Sequence, residues 1–90
     1  MTKAELIKEL SARTGMSQRA VAELLDTLVD VIVNAVKGGD EVRIAKLGKF
    51  LRRLRKGGAR RVPGTDRVVN VPDKHVPVFR PARQFKEAVK

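Results

Sequence analysis

The chain has no cysteine, tryptophan or tyrosine, and only three phenylalanines among its 90 residues. Without cysteine, neither a disulfide framework nor a thiolate metal site can form, which fits a reducing compartment. So few aromatics argue against the base-stacking platforms of single-strand and RNA binders. No apolar run approaches the ~18 residues of a membrane span. The N-terminal MTKAELIKEL is polar and periodic and has no apolar signal core. A cytoplasmic protein is expected. The single histidine, His75, lies between Lys74 and Val76 and reads as a solvated strand-edge residue. No metal site and no other cofactor is expected. Gly38-Gly39 and Gly57-Gly58 lack phosphate-loop spacing. The acids fall mostly on helix faces, where pairing along the helix explains them. No catalytic constellation emerges, and the chain is not expected to be an enzyme.

Acidic residues are also scarce where they would matter most. The net charge is +10, and its distribution is one-sided. Residues 1–45 hold six basic and seven acidic side chains, whereas residues 46–90 hold fourteen basic and three acidic ones. Between Lys46 and Arg61 there are eight Lys or Arg and no acid. Self-repulsion of that density implies a polyanionic partner, either nucleic acid or an anionic membrane surface. The basic residues lie on extended segments rather than along one face of an amphipathic helix, which disfavours the membrane.

Ninety residues make one domain, and a chain this short is marginal as a monomer. Thr2 with Glu5 three residues on predicts a capped helix start, and Gly15 its end. Ser17 predicts the cap of a second helix running to about Lys37, ahead of Gly38-Gly39. Glu23, Asp26, Thr27, Asp30 and Asn34 form one narrow polar stripe, and nearly everything else from Val21 to Val36 is apolar. A helix apolar over most of its circumference must be covered, and a small sheet is not enough. The simplest cover is a second copy of the chain, so a homodimer is expected.

Beyond Asp40 the apolar period changes. Val42 and Ile44 alternate as in a strand, and Leu47-Gly48 reads as a tight turn. Lys49 to Lys56 reads as a strand, and so does Arg67 to Val71. In Val62-Pro63-Gly64-Thr65, proline and glycine suit the central positions of a type II turn. Pro72 ends that returning strand, Pro77 and Pro81 bracket a further extended piece, and residues 82–90 suit a short helix. Helices, then hairpin strands, then a helix imply an α+β fold. The helical half with the first strand spans 1–45, and the sheet and basic arm span 46–81, the arm itself about 52–72. The arm has too few apolar residues for a core and should stay solvated and mobile until bound. An arginine-studded ribbon suits a DNA groove: arginine meets enhanced negative potential in a narrow minor groove. Apolar wedges, proline among them, are used to open base steps there. Pro63, flanked by Arg60, Arg61 and Arg67, has that chemistry, although Pro-Gly turns are common and usually do nothing more.

MTKAELI at 1–7, LGKF at 47–50, RVP at 61–63, VPVFRP at 76–81 and FKEAVK at 85–90 together resemble the bacterial histone-like HU proteins and their relative, integration host factor. The resemblance covers the whole chain. It implies an intertwined homodimer with an N-terminal helical hairpin, a three-stranded antiparallel saddle, protruding β-arms and a short C-terminal helix. It implies arms that wrap double-stranded DNA through the minor groove, with Pro63 as the intercalating wedge. Carried over, the arm contacts are Arg52, Arg53, Arg55, Lys56, Arg60, Arg61 and Arg67. The body contacts are Lys3, Lys46, Arg80, Arg83 and Lys86. The dimer core is Leu25, Leu28, Val29, Ile32, Val36, Ile44, Leu47, Phe50, Phe79 and Phe85. The chain departs from the family pattern at Asp66, where a glycine is usual, and at Leu47, His75 and Ala82, where phenylalanine, lysine and glycine are usual.

The expectation is a nucleoid-associated architectural protein that bends and compacts DNA with little regard for sequence, and that prefers bent, nicked or gapped duplex. Charge alone leaves RNA open as a secondary ligand. A sequence-specific bender resembling an integration host factor subunit is the alternative, since a few arm residues tune specificity through DNA deformability.

Overall fold

The computed structural model describes residues 1–90 and contains helices and antiparallel strands. It divides into two compact units, Met1–Asn34 and Ala35–Lys90. That division falls inside the second helix.

The first unit holds helix α1 (Lys3–Thr14) and most of α2 (Gln18–Lys37). Thr2 caps α1 by accepting the Glu5 N–H at 3.2 Å, while its hydroxyl donates to the Glu5 carboxylate at 3.3 Å. The capping box is therefore closed side chain to side chain. Gly15 ends α1 with its N–H on the Ser11 carbonyl. Ser17 Oγ accepts the Ala20 N–H at 3.1 Å and caps α2. Val21 is the only buried apolar side chain of the chain. Along α2, Leu24, Val29, Val31 and Val33 remain more than half exposed.

The second unit opens with the end of α2, where the Gly39 N–H meets the Val36 carbonyl and the Asp40 N–H meets the Ala35 carbonyl. That pair of bonds is a Schellman stop. Strands β1 (Val42–Ile44), β2 (Gly48–Arg55) and β5 (Lys74–Pro81) form an antiparallel sheet in the order β1-β2-β5. Strands β3 (Gly58–Arg61) and β4 (Val68–Val71) form a two-stranded ribbon. Helix α3 (Arg83–Ala88) follows, with the Ala82 N–H bonded to the Leu47 carbonyl. No helix is long and apolar enough to cross a membrane.

Two local readings of the sequence need correction. The turn between β1 and β2 is Ile44–Leu47, closed by the Leu47 N–H on the Ile44 carbonyl, with Lys46 at φ 71. Gly48, expected in the turn, is instead a buried strand residue paired with both Ile44 and Pro81. Its φ of 152 and its neighbours exclude other residues, because a Cβ there would lie 2.4 Å from the Arg80 carbonyl and 2.9 Å from the Phe79 ring. Of the two prolines expected to bracket the last strand, Pro81 ends it but Pro77 does not begin it. β5 begins at Lys74 and carries Pro77 inside it, opposite Arg52. An edge strand tolerates proline because one side of it needs no donor.

Candidate nucleic-acid interface

Residues paired across antiparallel strands share a face, and successive residues alternate faces. The register therefore sorts the sheet into two sides. One side carries Val42, Phe50 and Phe79, then Arg52 opposite Pro77 and Leu54 opposite His75. The Phe50 and Phe79 rings lie 4.9 Å apart between centroids, tilted by 44°. Phe50, Ile44 and Leu47 are half-buried, and Phe79 is exposed.

The other side carries Arg43, Lys49 and Arg80 in one row, then Leu51 with Val78, Arg53 with Val76, and Arg55 with Lys74. Six cations share this face and no acid does. Arg43 is held by Glu41 at 3.2 Å, but Lys49, Arg53, Arg55, Lys74 and Arg80 join none of the ion pairs in the structure. Half-buried Leu51, Val76 and Val78 form the apolar floor between the charges. Such a surface repels itself and attracts a polyanion.

The sheet gives way to the ribbon at a joint. The β2–β5 ladder ends at Arg55 opposite Lys74 and resumes at Gly58 opposite Val71 without a change of register. In the gap, the Gly57 N–H donates to Asp73 Oδ1 at 2.8 Å, and Pro72 has no N–H to offer. In the ribbon, Arg60 faces Val69 on one side and Arg61 faces Val68 on the other. The ribbon is a separate two-stranded sheet, and Gly58 at φ 145 interrupts the alternation of faces at the joint. The tip is a closed loop. The Val62 N–H meets the Arg67 carbonyl at 2.9 Å, and the Thr65 N–H meets the Val62 carbonyl at 3.1 Å. Gly64 has φ 77 at the second central position, as a type II turn requires. Pro63 occupies the first and is exposed at the apex. Asp66, almost wholly exposed, holds Arg61 at 3.0 Å.

The other residues singled out in the sequence are dispersed. Lys56 lies at the joint, Arg67 at the end of the tip loop, and Lys46 in the β1–β2 turn. Arg83 and Lys86 lie on α3, and Lys3, at the start of α1, is paired with Asp26. Arg52 is not with the basic face at all. It lies on the phenylalanine side and donates to the Lys37 carbonyl at 3.1 Å, closing the C-terminus of α2. Arg43, Lys49 and Lys74 were missed. Sheet parity could have found Lys49, since an inward Phe50 turns its neighbours outward.

Comparison with known proteins decides the family. The family model described as bacterial DNA-binding protein matches residues 1–90. The chain belongs to the HU family of bacterial DNA-binding proteins. It is 36% identical to DNA-binding protein HU of Thermotoga maritima over 92 aligned positions covering both chains fully. It is 33% identical to DNA-binding protein HU of Geobacillus stearothermophilus, again over the full length of both. An Anabaena HU protein solved in a cocrystal with DNA superposes with a TM-score of 0.86 at 29% identity, covering 99% of this chain and 97% of that one. Thermotoga maritima HU superposes with a TM-score of 0.70 at 29% identity and full coverage of both. The α+β fold read from the sequence is thus the HU fold, and this HU-family chain is a DNA-binding architectural protein.

Proposed function

We propose that the chain acts as a homodimer that bends and compacts double-stranded DNA with little sequence preference, associated with the nucleoid in the cytoplasm. The observation that carries the reading is the one-signed sheet face, followed by an arginine ribbon that ends in an exposed proline. Arg53, Arg55 and Arg80, joined by Lys49 and Lys74, neutralise phosphates and release their counterions, so affinity falls steeply with salt. Arg43 contributes less because Glu41 shares its charge. Lys46, Arg83 and Lys86 extend the track on the body, and Lys56, Arg60 and Arg67 extend it along the ribbon, whereas Arg61 and Lys3 are each held by an acid, Asp66 and Asp26. Arg52 leaves the contact set, because its guanidinium closes α2.

The ribbon enters the minor groove, and Pro63 wedges a base step. Opening a step costs about a few kcal/mol, offset by the contacts a bent duplex allows. Bent, nicked or gapped duplex binds tighter because part of that deformation is already present. The Anabaena HU protein solved in a cocrystal with DNA supports DNA as the partner.

The homodimer reading rests on exposure. A folded domain with one buried apolar side chain gains too little from burial to offset its ordering entropy. Leu25, Ile32 and Val36 are half-buried in one copy, while Leu28, Val29, Phe79 and Phe85 are exposed. A second copy covers this set together with Leu24, Val31 and Val33.

The test is end-to-end energy transfer on short duplexes of two unrelated sequences, titrated with protein. General bending shortens both with similar midpoints. Shortening of only one makes the protein a sequence reader like integration host factor. Binding that shortens neither overturns the bending mechanism.

A further inference from the structure

At the ribbon tip, Asp66 is the only acid, and it sits among Arg60, Arg61 and Arg67. Its carboxylate takes the Arg61 guanidinium at 3.0 Å, and neither Arg60 nor Arg67 joins an ion pair. The loop holds this geometry without Asp66. Thr65 Oγ1 donates to the Val62 carbonyl at 3.1 Å and accepts the Arg67 N–H at 3.2 Å, while the backbone bonds of Val62 and Thr65 close the turn. The carboxylate is therefore free of structural duty. A solvated pair of this kind contributes roughly 0–1 kcal/mol to stability, too little to explain the acid as a stabiliser.

We infer that Asp66 tempers the grip of the tip: by holding Arg61, it removes one sequence-independent phosphate contact per arm and lowers affinity for every duplex alike. The inference rests on the DNA-bending reading above and deepens it. A phosphate contact is available on any duplex, stiff or pliant, and so raises affinity without discrimination. A wedge is rewarded only where a base step opens cheaply. Neutralising the arginine nearest the wedge weakens the first kind of contact and leaves the second untouched, so binding weakens while the ranking of duplexes stays the same. The carboxylate also lies one residue from Thr65 at the loop end, where it opposes close approach of a phosphate to the tip.

The test compares wild type, Asp66→Asn and the double variant Asp66→Asn with Arg61→Gln, on intact and nicked duplexes of one sequence, over a range of salt. Asparagine keeps the shape and removes the charge, and the site is 99% exposed, so the fold is not at stake. Asp66→Asn is expected to bind intact duplex about three- to tenfold tighter at low salt, with the log–log salt slope steeper by about 0.9 per arm. The preference for nicked over intact duplex should stay as in wild type, because the freed contact is made on both. The double variant should return to the wild-type slope, because the freed arginine is gone. An unchanged salt slope in Asp66→Asn overturns the inference, and so does a changed nicked-to-intact ratio, since the freed contact would then discriminate between duplexes. Weaker binding by Asp66→Asn also overturns it, since the acid would then assist the grip. Failure of the DNA-bending reading looks different, because wild type would then show no preference for the nicked duplex at any salt.

Discussion

Gly48→Ala tests the description of the sheet most severely. The glycine is buried, paired on both sides and held at φ 152, where a Cβ would sit 2.4 Å from the Arg80 carbonyl oxygen and 2.9 Å from two atoms of the Phe79 ring. Real Cβ contacts do not approach so closely, so backbone or ring must move. A residue forced into such a backbone region costs about 1–3 kcal/mol, and overpacking a fitted site about 1–3 more. Moving Phe79 also disturbs its pairing with Phe50 at 4.9 Å. The expected loss is about 3–5 kcal/mol, a large part of the ~5–15 kcal/mol that holds a typical domain. At roughly 4–8 °C per kcal/mol for a chain of this size, the midpoint should fall by at least about 12 °C. Thermal unfolding followed by circular dichroism measures this, at fixed protomer concentration because the stability of the proposed dimer depends on it. Gly64→Ala is the internal control. It has φ 77 but nothing within 4 Å of its would-be Cβ, so only the backbone term of about 1–2 kcal/mol applies. If Gly48→Ala melts within about 4 °C of the parent, or no lower than Gly64→Ala, the close packing of β2 against β5 is wrong.

Pro63→Ala should reduce energy transfer across a bent duplex much more than it reduces affinity, because the wedge goes while the charges stay; equal losses in both would make Pro63 only a turn residue. Arg55→Ala should weaken binding to all duplexes alike and flatten the log–log salt slope by about 0.9 per protomer, and an unchanged slope would remove Arg55 from the phosphate track. Arg52→Met should lower stability by about 1–2 kcal/mol through loss of the charged bond at the C-terminus of α2, yet leave the salt slope of DNA binding intact; a flattened slope would return Arg52 to the interface. Val29→Asp should abolish the dimer in sedimentation equilibrium, since it places a charge in an apolar stripe that a second copy has to cover.

The parts legible in the sequence were those fixed by short-range chemistry. Thr2, Gly15 and Ser17 cap the helices where their side chains and backbone freedom require. Pro63-Gly64 forms the turn its φ preferences demand. What the sequence concealed depends on partners far along the chain. Lysine is a poor residue for a positive φ, so Lys46 gave no hint that the turn centred on it rather than on Gly48. Gly48 is required by the Arg80 carbonyl, which arrives from a strand more than twenty residues later. Pro77 read as a boundary because nothing local distinguishes an edge strand from a strand end. The arginines of β2 looked equivalent in RRLR, and only register with β5 separates Arg53 and Arg55 from Arg52.

The edges of the three-stranded sheet carry a consequence for crowding. β1 is only three residues long, and β5 presents Pro77 and Pro81, which have no N–H to donate. Neither edge can template a fourth strand from a neighbouring molecule. The ribbon edges are guarded unequally, because β3 bears Arg60 and Arg61 whereas β4 reads Val-Val-Asn-Val. Growth of intermolecular β-structure therefore has one opening, along β4, and charge repulsion between ribbons keeps it shut. That repulsion weakens as ionic strength rises. Concentrated stocks freed of DNA in strong salt thus carry an aggregation hazard that dilute, low-salt stocks do not, and the hazard sits on the arm rather than on the sheet.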